Sequence, residues 1–175
     1  MPEADPLSPA QLVGYVAFVL GVVSFLQRDD RRLRAMIAAQ AFSYCVHFFL
    51  LGSVVGALAS LVTCTRALVS LVTRSTAVGV GILVVNVVLG VLGAGTSVAG
   101  WLPVLGTTAG TVAFFWFDGL PMRFILLGAT ACWLANNLWL GSIGGSMLEL
   151  LVGVANGITC YRLWQAKRRE LKAPA

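Results

Sequence analysis

Three ionisable side chains stand inside long apolar stretches of this sequence: His47, Arg66 and Glu149. Ionisable groups are costly in lipid and normally face a bundle interior or a water-filled cavity. Near them in sequence, or at matching depth, lie the amides Asn136, Asn137 and Asn156 and the rings Tyr44 and Trp133. Their chemistry is limited. Glu149 or His47 can carry a proton, Arg66 favours an anionic or carboxylate-bearing group, and amides beside aromatic faces suit a small polar or ring-bearing solute. For any one of these residues the ordinary alternative is an interhelical hydrogen bond. There is no nucleophile-base pair, HExxH, nucleophile elbow or phosphate-cradling glycine loop. Both lysines, Lys167 and Lys172, lie in the C-terminal tail, so no span offers an amine for a Schiff base. No enzymatic activity and no cofactor are expected. A lone His47 is not evidence for a metal. Cys45, Cys64, Cys132 and Cys160 show no CxxC spacing and read as small buried hydrophobes.

The elements that must position these groups follow from composition. Of 175 residues, 58% are apolar and 11% charged, with 12 basic and 7 acidic side chains; mean hydropathy is +0.89. Soluble domains carry about a quarter charged residues. A soluble enzyme, a disordered regulator and a nucleic-acid binder are excluded despite the net charge of +5. Continuous apolar runs, too long for strands and without alternation, reject a β-barrel. The expected fold is an all-α polytopic membrane protein with spans at 10–27, 33–51, 54–73, 76–95, 99–117, 121–140 and 143–164. Gly52-Ser53 and Gly141-Ser142 serve as whole turns, so neighbouring spans form antiparallel hairpins. Gly52 with Gly56, and Gly141 with Gly145, have a spacing that also permits close helix approach. Met1–Pro9 has Glu3 and Asp5 but no basic residue, so the n-region of a cleaved signal is missing and the first span is expected to be retained.

Seven spans sort the basic residues. Arg28, Arg31, Arg32, Arg34, Arg74, Arg123, Arg162, Lys167, Arg168, Arg169 and Lys172 all fall on one face, leaving only Arg66 inside a span. Lys/Arg-rich short loops stay cytoplasmic, which sets the N-terminus outside and the C-terminus inside. At about 1.5 Å per residue, His47 lies about four residues in from the outer turns, Glu149 about seven and Arg66 about thirteen. An Arg66–Glu149 pair, direct or through water, is one reading of these depths. An arginine that snorkels and a carboxyl near the interface is the other.

Shifting the chain by 89 residues aligns 12–74 with 101–163 without a gap, with ten of 63 positions identical. The identities fall at span ends and turns: Gly21 with Gly110, Phe25 with Phe114, Asp29 with Asp118, Arg34 with Arg123. Leu51-Gly52-Ser53 with Gly56 meets Leu140-Gly141-Ser142 with Gly145. The expected organisation is one integral membrane domain over 1–175: repeat 1 at 10–74, a linker helix at 76–96, repeat 2 at 99–164 and a basic tail at 165–175. The repeats share one orientation, the parallel arrangement of the sugar facilitators called SWEETs; a duplication that merely built a stable bundle is the alternative. Under this shift His47 meets Asn136, Tyr44 meets Trp133, Ser60 meets Glu149, and Arg66 meets Ala155 beside Asn156.

Several runs resemble the YgjV family of bacterial inner membrane proteins: Ala17-Phe18 with Gly21, Ser24-Phe25, Arg28-Asp29-Asp30-Arg31-Arg32 and His47-Phe48-Phe49-Leu50-Leu51-Gly52. So do Leu102-Pro103-Val104-Leu105-Gly106-Thr107, Cys132-Trp133, Gly141-Ser142-Ile143-Gly144-Gly145, Asn156-Gly157 and Arg162-Leu163-Trp164. The resemblance implies a multi-pass protein of the bacterial inner membrane whose architecture is similar to the SWEET and PQ-loop group. It also implies that His47, Arg66, Asn137, Glu149 and Asn156 occupy positions the family holds polar. Leu26-Gln27 stands where the PQ-loop pattern has Pro-Gln, which departs from a hinge there.

Together these readings lead to an expected solute facilitator or secondary transporter whose two repeats rock around a polar cavity. The cavity would be lined by His47, Tyr44, Trp133, Asn136, Asn137 and Glu149, with Arg66 and Asn156 deeper in. Its expected partners are the lipid bilayer, a small polar or anionic solute and, at most, further copies of the chain. The alternative is a non-transporting membrane component: a partner subunit, assembly factor or sensor. The two differ in whether the intramembrane polar groups converge on a central cavity or point to lipid.

Overall fold

The computed structural model of the chain describes residues 5–25, 30–73, 75–117 and 119–170. Arg28, Arg74, Lys172, the Leu26-Gln27 dipeptide, the Asp29/Asp118 match and the side chain of Arg31 lie outside the described residues. The described residues form seven helices: α1 (Pro9–Phe25), α2 (Asp30–Leu50), α3 (Val54–Val69), α4 (Thr76–Gly93), α5 (Val98–Trp116), α6 (Gly119–Trp139) and α7 (Ile143–Glu170). Among the described residues three helices are long and apolar enough to cross a membrane: α4, with mean hydropathy 2.3, α5, and α7 over Ile143–Arg169. Pro9–Ser24 and Val54–Val69 are shorter apolar helices. α2 carries the polar side chains Gln40, Tyr44 and His47, and α6 carries Arg123, Asn136 and Asn137.

Burial is distributed as a lipid-facing bundle requires. Large apolar side chains face outward, among them Val84, Val88, Val91 and Leu92 on α4, and Leu150, Val154 and Ile158 on α7. The interior holds small and polar residues such as Ala17, Ser24, Ser60, Thr107, Thr111 and Asn137. Small residues let helix backbones approach where lipid supplies no hydrophobic drive between helices. A β-carbon on Gly144 would stand 2.6 Å from the carbonyl oxygen of Gly14, so α1 and α7 meet backbone to backbone.

Both Gly-Ser dipeptides end one helix and begin the next. Gly52 and Gly141 take φ of +76° and +68°, a left-handed conformation that glycine adopts without a Cβ penalty. Ser53 N–H donates to Phe48 C=O at 2.8 Å and Gly52 N–H to Phe49 C=O at 3.0 Å; Ser142 to Asn137 and Gly141 to Leu138 repeat this at 2.9 and 3.2 Å. These paired bonds define the Schellman stop. The same serines then cap the following helices: Ser53 Oγ accepts from Gly56 N–H and Ser142 Oγ from Gly145 N–H, each at 3.2 Å. The first glycine of each four-residue pair is therefore a turn residue rather than a helix-contact residue. The second makes room for a side chain of the same hairpin, Gly56 for Phe48 and Gly145 for Asn137.

Helix packing runs in a cycle: α1 on α2, α2 on α3, α3 on α5, α5 on α6, α6 on α7, and α7 back on α1. α4 stands outside this cycle, against α3 and α5. Its inward stripe is Gly79, Asn86 and Gly90, and Asn86 Nδ2 donates to Val104 C=O at 3.0 Å and Thr108 Oγ1 at 2.9 Å on α5. The tail expected from 165 is helical through Glu170, where Arg168 lies 4.4 Å from the Trp164 ring centroid. Lys167, Arg168 and Arg169 there complement the negative end of the helix dipole.

Candidate functional site

Inside the cycle α2, α3, α6 and α7 line a half-open cavity of about 80 Å³. From α2 come Gln40, Tyr44 and Phe48; from α3, Ser60 and Thr63; from α6, Trp133 and Asn137; from α7, Glu149. Helical spacing explains the set. Gln40, Tyr44 and Phe48 are successive i, i+4 neighbours, as are Trp133 and Asn137, and Ser60 and Thr63 are i, i+3, so each helix presents one stripe.

One wall is aromatic. Phe48 stacks on Tyr44 with centroids 5.6 Å apart and on Trp133 at 5.8 Å, both at 19°, joining α2 to α6. Gly106 of α5 permits this, since a β-carbon there would stand 2.8 Å from Trp133 Cδ1. Apart from Ile37 and Ala41 the remaining lining is polar. Tyr44 Oη and Asn137 Oδ1 are buried without a hydrogen-bond partner, on residues 7% and 2% exposed. Glu149 is half-buried at the cavity, with Thr130 of α6 beside its carboxyl. A buried polar atom left unpaired costs about 1–3 kcal/mol. Both atoms are shut off from the cavity itself, Asn137 Oδ1 lying against Gly145 of α7.

The other residues singled out by sequence lie elsewhere. His47 is fully buried between α1, α2 and the α6–α7 turn. Its Nδ1 lies 2.6 Å from Ala10 C=O and its Nε2 2.7 Å from Ser142 Oγ. The carbonyl can only accept, so Nδ1 donates; the neutral ring then accepts the Ser142 hydroxyl proton at Nε2. Gln11 completes this clasp, donating to Gly141 C=O at 2.6 Å and accepting from Ile143 N–H at 3.1 Å. Asn156 donates to Arg123 C=O at 3.0 Å and accepts from its guanidinium at 3.4 Å, tying α7 to the start of α6. The Arg34 guanidinium, donating to Ser70 C=O, ties α2 to the end of α3. Asn136 is buried, with Nδ2 unpartnered, outside the lining.

Arg66 and Glu149 do not pair. The Arg66 guanidinium lies 4.9 Å from the Phe114 ring centroid. Its Nη1, without a hydrogen-bond partner, stands 2.9 Å from where a β-carbon on Gly110 would be. It occupies the α3–α5 seam, one turn past Thr63 and outside the lining, because α3 packs against α5 rather than α7. An anion preference derived from Arg66 thus has no support in the cavity itself. Sequence reading did not single out Gln40, Phe48, Thr63 or Gln11 as site residues. Spacing from Tyr44 and Ser60 contained the signal for the first three.

Apolar side chains outside, partly paired polar groups inside and helices joined by two-residue turns define a helical integral membrane protein. The chain belongs to a family of bacterial inner membrane proteins, Imp-YgjV, whose sequence model matches residues 8–167. It is similar to the inner membrane protein YgjV of Escherichia coli (strain K12), 36% identical over 168 residues that cover 93% of this chain and 88% of that protein. No solved structure matches the chain.

Proposed function

We propose that this chain is a small-solute facilitator or secondary transporter, with seven crossings arranged as two parallel three-helix units and α4 as linker. The N-terminus is outside and the C-terminus cytoplasmic. The observation that carries the reading is the cavity between the two units on which the polar side chains Gln40, Ser60, Thr63 and Glu149 converge. A bundle built only for packing would pair or omit those groups.

Two further features support it. The Gly-Ser turns, 89 residues apart, share φ, stop bonds and caps. The packing cycle maps onto itself when α1, α2 and α3 are exchanged for α5, α6 and α7. The units then meet at two seams, α3–α5 and α7–α1, and the cavity lies between them. Rocking at the seams would expose the cavity to either side in turn. A non-transporting partner subunit would instead present polar groups outward, whereas these converge inward.

The test is flux. Purified chain in liposomes is assayed with a panel of labelled cationic, neutral and anionic solutes of a few heavy atoms, beside the Asn137→Leu and Trp133→Ala variants. Saturable flux reduced in both variants is expected. Absence of flux for the whole panel overturns the reading.

A further inference from the structure

The end of α7 leaves the bundle. Its 28 residues rise about 42 Å, whereas the hydrocarbon core of a bilayer is about 30 Å thick. About twenty residues from Ile143 suffice to cross, which puts Tyr161 and Arg162 at the far boundary and the rest beyond it. Burial agrees. Cys160 is buried, and no residue from Tyr161 to Arg169 is. Lys167 stands two turns along the stripe of Cys160 yet is exposed, so no neighbouring helix covers that stripe there. From Tyr161 to Arg169 the chain carries the basic residues Arg162, Lys167, Arg168 and Arg169 and no acidic one.

Helical spacing arranges these residues. Tyr161, Trp164 and Arg168 form one stripe: the two ring centroids are 6.3 Å apart, and the Arg168 guanidinium carbon lies 4.4 Å from the Trp164 centroid. Arg162 and Arg169, seven residues apart, form the stripe beside it. Among the described residues no hydrogen bond or ion pair engages the four basic side chains, and stacking on a ring face leaves the N–H donors of a guanidinium unused. The guanidinium groups of Arg34 and Arg123 are, by contrast, tied to Ser70 C=O and Asn156 Oδ1. Amphipathic Tyr and Trp rings settle at headgroup level, and the arginine fork matches a phosphate. We propose that the Tyr161–Arg169 end of α7 is a docking surface for anionic phospholipid, with its rings at headgroup depth and Arg162, Arg168 and Arg169 on lipid phosphates. A zwitterionic headgroup brings its own cation to the phosphate, so uncompensated basic charge selects the anionic one. The continuous helix holds the surface within about 12 Å of the boundary, where the leaflet reaches it before a soluble acidic macromolecule does. The assignment is independent of the cavity and of the transport reading.

The full chain is reconstituted in phosphatidylcholine bilayers, where spin-labelled phosphatidylglycerol and phosphatidylcholine report by EPR how strongly each is held at the protein surface. The wild type should hold phosphatidylglycerol about 5-fold more strongly, the factor that one basic residue supplies at an anionic surface. Salt at about 0.5 M should remove most of that preference. The triple variant Arg162→Gln/Arg168→Gln/Arg169→Gln should cut it at least about threefold. Its melting temperature in uncharged detergent should match the wild type, because the three side chains lie outside the bundle. Should the triple variant fail to fold, Lys167→Gln/Arg168→Gln and the salt titration of the wild type carry the test. Equal retention of the two lipids by the wild type overturns the assignment, as does a preference that the variants and salt leave unchanged. Displacement of the lipid by inorganic phosphate or by a polyglutamate peptide, with ionic strength matched by chloride, also overturns it. The surface would then belong to a free anion or to an acidic partner.

Discussion

Two buried polar side chains one position apart in the repeat alignment have opposite consequences. His47 aligns with Asn136, and Phe48 with Asn137. The imidazole is bonded at both nitrogens, so Ser142→Ala strands Nε2 and removes the cap of α7. It should lower unfolding stability in detergent by about 1–3 kcal/mol, with flux per folded molecule unchanged. Asn137 Oδ1 has no partner to lose. Asn137→Leu should leave the melting temperature level or higher while solute flux falls at least tenfold. A drop in stability with normal flux would make Asn137 a packing residue. The identity of both residues and their place along the helix were legible in the sequence, because rise follows from counting along a helix axis. Direction around the axis was not. Each residue turns the side chain by about 100°, so His47 and Phe48 face different neighbours. Arg66 and Glu149 failed to meet for the same reason: their places along α3 and α7 could be counted, and the helices their side chains face could not.

At the scale of elements, glycine does several distinct jobs. Gly144→Ala places a methyl against the Gly14 backbone, which cannot move aside as a side chain tip can. A cost of about 1–3 kcal/mol in an unfolding titration is expected. Gly141→Ala must hold φ near +68° with a β-carbon, costing about 1–2 kcal/mol. Gly157→Ala, in the middle of α7 with no atom within 4 Å of the new carbon, should be neutral in the same titration and serves as the control. The helices themselves were legible because turn chemistry and apolar length are local. Their ends were less so. α3 stops at Val69, followed by the tighter bonds of Leu71 to Leu68 and Val72 to Val69, rather than running to 73. α7 continues past 164, where charged side chains offset the helix dipole instead of ending the helix.

For the whole molecule, the basic residues predict orientation. A fluorescent-protein fusion after residue 175 should fluoresce and an alkaline phosphatase fusion there should be inactive; the reverse pair of results would invert the proposed topology. The proposed repeat rests in the sequence on ten scattered identities at a shift of 89 residues. What those identities could not convey is the closure of six helices into a cycle, because which helix meets which depends on side chains that differ between the halves. The clasp of Gln11 and His47 on the Gly141-Ser142 turn has no equivalent hydrogen bonds from Gly100 and Asn136 among the described residues.

The position of α4 follows from chain connectivity, yet it makes the two seams unequal. It lies across α3 and α5 and is pinned there by Asn86, whereas among the described residues no helix overlies the α7–α1 seam. The molecule thus resembles a bound book, with α3, α4 and α5 as the spine and the Gln11 clasp at the fore-edge. Opening should occur at the fore-edge alone. In a background with the four native cysteines replaced by alanine, a short bifunctional maleimide joining Gln11→Cys to Ile143→Cys should arrest flux. The same reagent joining Asn86→Cys to Thr108→Cys binds two sheets of the spine together and should leave the pages free to turn.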